Sequence, residues 1–251
     1  MTRIILSGCF GKMGRVIADI AKTRNDIMIA AGCDISSGNT CAYPVFEKIG
    51  QINCEADVII DFSHPSNLNA LLEYAKSNNM PLVLATTGFS KEQTEQIKAA
   101  SAQIPLFFSF NMSLGINLLI SLCQKAAAVL GNEFDIEIIE KHHNQKIDAP
   151  SGTAIMLADA VNQTLDHTMS YMYDRHSRRL KRDSREIGIH SVRGGTIVGE
   201  HEVIFSGRDE IISLSHSARS KEVFAAGAVN AALFMKNREK GLYDMSDLVK
   251  Y

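Results

Sequence analysis

Apolar and polar positions change their rhythm about halfway along the chain. In the first 110 residues, short apolar runs alternate with stretches whose apolar positions recur every three or four residues. Ile4 to Ser7, Ile27 to Gly32, Val58 to Phe62, Leu82 to Leu84 and Ile104 to Phe110 read as buried strands. Val16, Ile17, Ile20 and Ala21 mark one side of a helix after the first strand. Leu68, Leu71, Leu72 and Ala75 do the same over Ser66 to Lys76. Ser90 is placed to cap a further helix running to about Ala102, with Gln93 in the capping-box position. Strand and helix in regular alternation predict a parallel sheet with helices on both faces.

Beyond Ser113, which is placed to cap a helix to about Leu130, the pattern differs. A strand over Phe134 to Glu140 and a helix from Thr153 to about Leu165 come first. Glu186–Arg193, Thr196–Phe205 and Glu210–Ser217 then read as closely spaced strands, joined by turns at Gly194-Gly195 and Gly207. Such spacing predicts antiparallel pairs and a second, α+β domain. Phe224 to Phe234 is a small-residue helix suited to close packing.

Composition narrows the class without choosing a function. Of 251 residues, 45% are hydrophobic and 22% charged, ordinary for a globular protein with a substantial core. A formal net charge of -2 gives no global attraction to nucleic acid or anionic membrane. No apolar run has the length of a membrane span, and the first residues do not form a signal peptide. The 5 cysteines include no Cys-x-x-Cys pair, so reduced thiols in a cytoplasmic protein are expected. Asp174 to Arg185 carries six Lys or Arg residues against two Asp. It is short and lacks interleaved aromatics, so it reads as a solvated, mobile loop rather than a nucleic-acid grip.

The first strand ends in Gly8-Cys9-Phe10-Gly11-Lys12-Met13-Gly14, and a helix follows. Strand, glycine turn and helix form the opening of a dinucleotide-binding unit, in which glycines permit a tight turn and close backbone approach to a pyrophosphate. Asp34 follows the second strand, where an acidic residue bonds a ribose hydroxyl. Taken alone, the turn is equally consistent with an ordinary glycine-rich loop, since Phe10 stands where the commonest fingerprint has glycine.

A denser constellation begins at the end of the Phe134 strand. His142, His143 and Lys146 fall within five residues, and Ser151-Gly152-Thr153 reads as a helix start capped by Ser151. Two imidazoles, an ammonium and a helix N-terminus make a receptor for a small carboxylate ligand and can deliver protons. Glu140, His142, His143, Lys146, Asp148, Ala149, Pro150, Ser151, Gly152, Thr153 and Ala154 together closely resemble the signature of the dihydrodipicolinate reductases, also called 4-hydroxy-tetrahydrodipicolinate reductases. Gly8, Gly11, Met13 and Gly14 match that family's N-terminal motif, and Arg193 to Phe205 resembles another of its segments.

The resemblance implies a Rossmann-like doubly wound sheet over 1–112 and 219–251, and a substrate-binding and oligomerisation domain with an open mixed sheet over 113–218. It implies NADH or NADPH as cofactor, a small dicarboxylate imine as substrate, a homotetramer, and a place in the diaminopimelate route to lysine. Carried onto this chain, Gly8, Cys9, Phe10, Gly11, Lys12, Met13 and Asp34 would meet the cofactor. Ala85, Thr86, Thr87, Ser109, Phe110, Asn111 and Met112 would face its nicotinamide half. Ala85 stands where the family usually has glycine; read without the resemblance, the threonines are turn formers and Asn111 a helix-approach residue. Lys146 and His142 would be catalytic, and His143, Gly152 and Thr153 would hold carboxylates. Asp34 is followed by Ile35-Ser36-Ser37 with no cation, which favours a free ribose diol and hence NADH.

Other readings are weaker. Adjacent histidines on an extended chain point apart, so no metal is expected at His142 and His143. Glu200 and His201 read as strand residues supporting a sheet or subunit contact. No serine has an evident base beside it and Cys123 falls within an apolar helix pattern, which argues against a serine or cysteine nucleophile. Another two-domain nicotinamide oxidoreductase or a non-catalytic NAD-binding sensor remain the alternatives.

Overall fold

The computed structural model describes residues 1–36 and 41–249. In chain order its regular elements begin with β1 (Thr2–Ser7), α1 (Lys12–Lys22), β2 (Ile27–Cys33), β3 (Val45–Phe46) and β4 (Val58–Asp61). Next come α2 (Leu68–Ser77), β5 (Leu82–Leu84), α3 (Lys91–Ala100), β6 (Pro105–Phe108) and α4 (Leu114–Leu130). The later part holds β7 (Asp135–His142), α5 (Gly152–Thr164), β8 (Ser170–Met172), β9 (Glu186–Arg193), β10 (Gly199–Ser206) and β11 (Ile211–Ala218). The chain closes with α6 (Glu222–Met235), β12 (Gly241–Tyr243) and α7 (Met245–Val249). Two compact units result: Met1–Leu114 with Glu222–Tyr251, and Gly115–Lys221.

The first unit is a seven-stranded, wholly parallel sheet in the order β12-β6-β5-β4-β1-β2-β3. Its central strands are apolar on both faces because helices cover both. Ile4, Leu6, Val58 and Ile60 pack toward α1 and α6, whereas Ile5, Ile59, Leu82 and Leu84 pack toward α2 and α3. Each fully buried side chain of this kind contributes roughly 1.5–3 kcal/mol. The small residues of α6 serve close approach. A Cβ at Gly227 would lie 1.7 Å from the Met112 carbonyl oxygen, so only glycine fits there. The Ser90–Gln93 capping box forms as its sequence predicts, with bonds of 3.2 and 3.0 Å.

The second unit is a five-stranded mixed sheet in the order β11-β10-β7-β9-β8. Here the expectation of antiparallel pairs among the three later strands needs correction. β10 and β11 do form an antiparallel hairpin, but β9 does not pair with β10. β7 lies between them, antiparallel to β10 and parallel to β9. Helices α4 and α5 cover one face of this sheet over Ile136, Ile138, Ile187, Ile189, Val203 and Phe205.

The loop from Asp174 to Arg185 is mostly exposed, as the solvated reading expects, but two of its arginines are bound to the sheet. Arg182 donates to Glu137 and Asp135 at 3.0 and 2.7 Å and to the carbonyls of Ile136 and Glu186. Arg175 joins Glu186 at 3.0 Å. Guanidinium groups hold this segment against the sheet while Arg178, Arg179 and Lys181 stay exposed. A five-donor planar cation can satisfy several acceptors at once, which composition alone does not reveal.

Candidate active site

In the first unit the turn after β1 is built as a cradle. Gly8 has φ +78, and a Cβ there would lie 2.4 Å from the Phe62 carbonyl oxygen. The backbone thus reaches a conformation and a closeness that L side chains forbid. Asp34, at the end of β2, accepts from the Phe10 N–H at 2.9 Å and from the Ser36 N–H at 3.0 Å. Its carboxylate therefore ties the turn to the neighbouring strand. Gly8, Phe10, Gly11, Asp34, Ile35 and Ser36 all border a cavity of about 1210 Å³, which exceeds the ~300–1,000 Å³ of ordinary small-molecule clefts. Space, turn and acidic residue fit an extended dinucleotide. Ser37 lies outside the described residues.

The other sequence-predicted positions of this unit are distributed unevenly. Lys12 and Thr87 are exposed, Met13 and Ser109 are half-buried, and Phe110 is exposed with its ring against Phe108. Cys9, Ala85 and Met112 place their side chains in the core; the Cys9 and Ala85 N–H groups donate to the Cys33 and Asp61 carbonyls, and the Met112 carbonyl packs against Gly227. Asn111 is buried and accepts from the Ser113 N–H at 2.8 Å. Thr86 donates its hydroxyl to Asp61 at 2.6 Å. Asp61 was not singled out from sequence. It is wholly buried at the end of β4 and also receives the Ser63 hydroxyl at 2.6 Å. Burial pushes its pKa up, against the pull of the Ser63, Thr86 and Ser7 hydroxyls. Its signal in sequence was a lone acidic residue closing an otherwise apolar strand.

In the second unit, alternation along β7 builds the site. Ile136, Ile138, Glu140 and His142 are the buried positions of this strand, since successive side chains point to opposite faces. The first two are apolar and the last two polar, so the helix-covered face changes character along its length. β10 behaves alike, burying Gly199, His201, Val203 and Phe205. Glu140 is fully buried and fully bonded. Arg193 binds it through both terminal nitrogens at 2.7 Å, His142 Nδ1 lies 2.6 Å away, and the Ser151 N–H donates at 3.0 Å. Burial raises its pKa, but Arg193, Ser191, His142 and the Ser151 N–H more than reverse this and bring it down to about 2.

Ser151 caps α5 as expected, accepting from the Ala154 N–H at 3.2 Å. Its hydroxyl also lies 3.0 Å from His201 Nε2, across 50 residues of sequence. This corrects the expectation that no serine has a base beside it. The arrangement is still a poor nucleophile, because Ser151 is 2% exposed and committed to the cap. His201 lies on a strand as expected, but on its buried side: burial, then the neighbouring His142, pushes its pKa down to about 4, so it is neutral at pH 7.

Lys146 and His143 belong to the loop after β7. Lys146 pairs with Asp148 at 2.8 Å, and its backbone N–H donates to the His143 carbonyl at 3.1 Å. Gly152 and Thr153 form the first turn of α5, with Gly152 exposed. Through Ser151, Glu140 and His142 the structure brings the helix start beside the strand end. Among the described residues, no group of three or more His, Cys, Asp or Glu is arranged to hold a metal ion. No helix among them is long and apolar enough to cross a membrane.

A glycine cradle on a parallel sheet, in a chain whose second unit gathers imidazole, ammonium and a capped helix start, fits the class of two-domain nicotinamide-dependent oxidoreductases. Comparison with known proteins narrows this. Residues 2–112 match the N-terminal part of dihydrodipicolinate reductase and residues 115–249 its C-terminal part. The chain is 51% identical to the 4-hydroxy-tetrahydrodipicolinate reductase of Caldanaerobacter subterraneus subsp. tengcongensis, over 100% of this chain and 99% of that one. It is also 51% identical to that of Clostridium tetani, over 98% and 96%. The fold matches the dipicolinate-bound dihydrodipicolinate reductase of Paenisporosarcina sp. TG-14 with a TM-score of 0.83 at 24% identity, covering 99% of each chain.

The chain belongs to the dihydrodipicolinate reductase family. Its reaction is reduction of 4-hydroxy-tetrahydrodipicolinate to tetrahydrodipicolinate by hydride from NAD(P)H, in the diaminopimelate route of lysine biosynthesis.

Proposed function

We propose that this reductase uses NADH at least as well as NADPH, and that the two units divide the work. The first takes the cofactor and the second takes the substrate. The observation that carries the cofactor reading is Asp34, whose carboxylate borders the cavity while bonded to Phe10 and Ser36 N–H groups. A carboxylate there accepts from a ribose diol and repels a 2′-phosphate. The Gly8 to Met13 turn approaches the pyrophosphate. The segments Ala85-Thr86-Thr87 and Ser109-Phe110-Asn111-Met112 face the nicotinamide half. The Thr86 proton goes to Asp61, so its hydroxyl presents an acceptor to the ligand.

On the second unit, His143, Gly152 and Thr153 bind the carboxylates of the cyclic imine, Lys146 donates the proton, and His142 gives or takes one at its ring. The dipicolinate held by the Paenisporosarcina relative is a planar dicarboxylate of matching charge. The Lys146–Asp148 pair lies near the surface, so a substrate carboxylate can take the place of Asp148 at little cost. The face of the second sheet turned away from α4 and α5 carries Ile139 and Ile204 among charged residues, which suits pairing of copies into a homotetramer.

The test is a spectrophotometric assay with substrate generated in place from pyruvate and aspartate semialdehyde. NADH and NADPH are run in parallel. Equal or higher kcat/KM with NADH is expected; a strong NADPH preference overturns the cofactor reading.

A further inference from the structure

The carboxylate under His142 has no role in the assignments above. We infer that Glu140 is a positioning residue for the reaction: it fixes the His142 ring with hydrogen on Nδ1, leaving Nε2 as the atom that exchanges the proton, and Arg193 holds Glu140 in place to do so. This rests on the reading of His142 as a proton-carrying group.

The geometry leaves the carboxylate little freedom. Oε2 meets Arg193 at 2.7 Å and His142 Nδ1 at 2.6 Å, while Oε1 meets Arg193 at 2.7 Å and the Ser151 N–H at 3.0 Å. An ionised carboxylate only accepts, so the Nδ1 facing it must carry hydrogen. Arg193 is itself anchored on the carbonyls of Asp148 and Val192 at 2.7 and 2.8 Å. Ring orientation and tautomer are thereby set from β9, through β7, by a planar two-pronged bond.

Stability alone does not account for this arrangement. Burying the Glu140 carboxylate carries a desolvation penalty, and well-packed apolar residues often serve a fold as well or better. The same face of β7 uses the apolar solution two and four residues earlier, at Ile138 and Ile136. Nε2 is also given space, since a Cβ at Gly199 would come within 3.1 Å of it. The other titratable groups gathered at this end are His201 and His216 on paired strands and the Lys146–Asp148 pair on the loop. When a proton passes at Nε2 in either direction, Nδ1–H stays on Glu140. No other bond changes.

The experiment compares Glu140→Gln, His142→Gln, the double variant and Arg193→Lys. Each is assayed for kcat and KM, and histidine side-chain nitrogen NMR reads the tautomer of His142. Glu140→Gln is expected to lower kcat on the order of 10²-fold, with smaller change in KM and loss of the Nδ1–H bias. The double variant is expected to be no slower than His142→Gln, because Glu140 acts through that ring. Arg193→Lys, which keeps the charge but not the fork, should show part of both effects. If His142→Gln loses activity while Glu140→Gln keeps its kcat and tautomer, Glu140 is not a positioning residue although the catalytic reading survives. Losses that multiply in the double variant give Glu140 a merely structural role. Near-normal kcat in His142→Gln overturns both readings. Should Glu140→Gln fail to fold, the wild-type tautomer and Arg193→Lys decide: hydrogen on Nε2 rather than Nδ1, or an unaffected Arg193→Lys, refutes the inference.

Discussion

Lowering the pH should unpick the second unit in two stages, and His201 governs the first. Its folded pKa of about 4 lies below the ordinary 6.5. Between those values the unfolded chain binds a proton that the native chain refuses, so stability falls as pH falls. At ~1.4 kcal/mol per pH unit across the window, His201 accounts for about 3 kcal/mol in all, and for about 2 kcal/mol between about pH 7 and about pH 5. Glu140 acts lower down. Its pKa of about 2 against 4.5 adds stability that is present above 4.5 and lost as pH falls toward 2, again about 3 kcal/mol. The assay is urea unfolding followed by far-UV circular dichroism across this range, for the wild type and His201→Gln. Glutamine keeps a partner for the Ser151 hydroxyl but cannot titrate. The wild type should lose about 2 kcal/mol more than the variant between about pH 7 and about pH 5. Parallel curves would refute the idea that a buried, neutral His201 sets the acid response.

Three further outcomes test other parts of the molecule. Lys146→Ala should lower kcat on the order of 10²–10⁴-fold, whereas His143→Ala should act chiefly on KM; steady-state kinetics separates them, and a near-normal kcat in the first removes Lys146 as proton donor. Gly227→Ala must place a methyl 1.7 Å from the Met112 carbonyl oxygen, so a loss of about 1–3 kcal/mol or more is expected in thermal unfolding. Gly50→Ala, where nothing lies within 4 Å, is the control and should stay close to wild type. Asp61→Asn turns one face of the side chain from acceptor to donor, so the Thr86 or Ser63 hydroxyl must reorient. About 1–3 kcal/mol of stability should go with it, and NADH titrated by fluorescence should bind more weakly; unchanged binding would separate Asp61 from the cofactor site.

Much of the architecture was legible because the physics that creates it is local. Leu68, Leu71, Leu72 and Ala75 announce α2, and each strand of the first sheet from β1 to β6, except β3, has an apolar run long enough to see. β3, β8 and β12 have two or three residues each, too few for any periodicity, and β8 and β12 lack the wholly apolar run that marks the equally short β5. Strand pairing is where local reasoning failed, since nothing in Glu186 to Phe205 says that a strand from 50 residues earlier inserts between β9 and β10. The site divides in the same way. The motif from Glu140 to Ala154 was visible as a string, and Glu140 two residues before His142 already places both on one face of a strand. Arg193 and His201 enter from other strands, through contacts 53 and 50 residues apart in sequence, and only the folded sheet shows what they touch.

The alternation along β7 has a mechanical meaning. Ile136 and Ile138 occupy the same row as Glu140 and His142, so the greasy half of the strand sets the phase for the reactive half. One residue inserted between them would leave the upstream anchor in place, roll both ionisable groups to the opposite surface beside Glu137, and turn Lys141 inward. Two residues would restore the facing but advance them by nearly 7 Å, out of reach of Arg193. Length in this short segment is thus under tighter constraint than identity, and an altered spacing would silence the enzyme even with every signature residue retained.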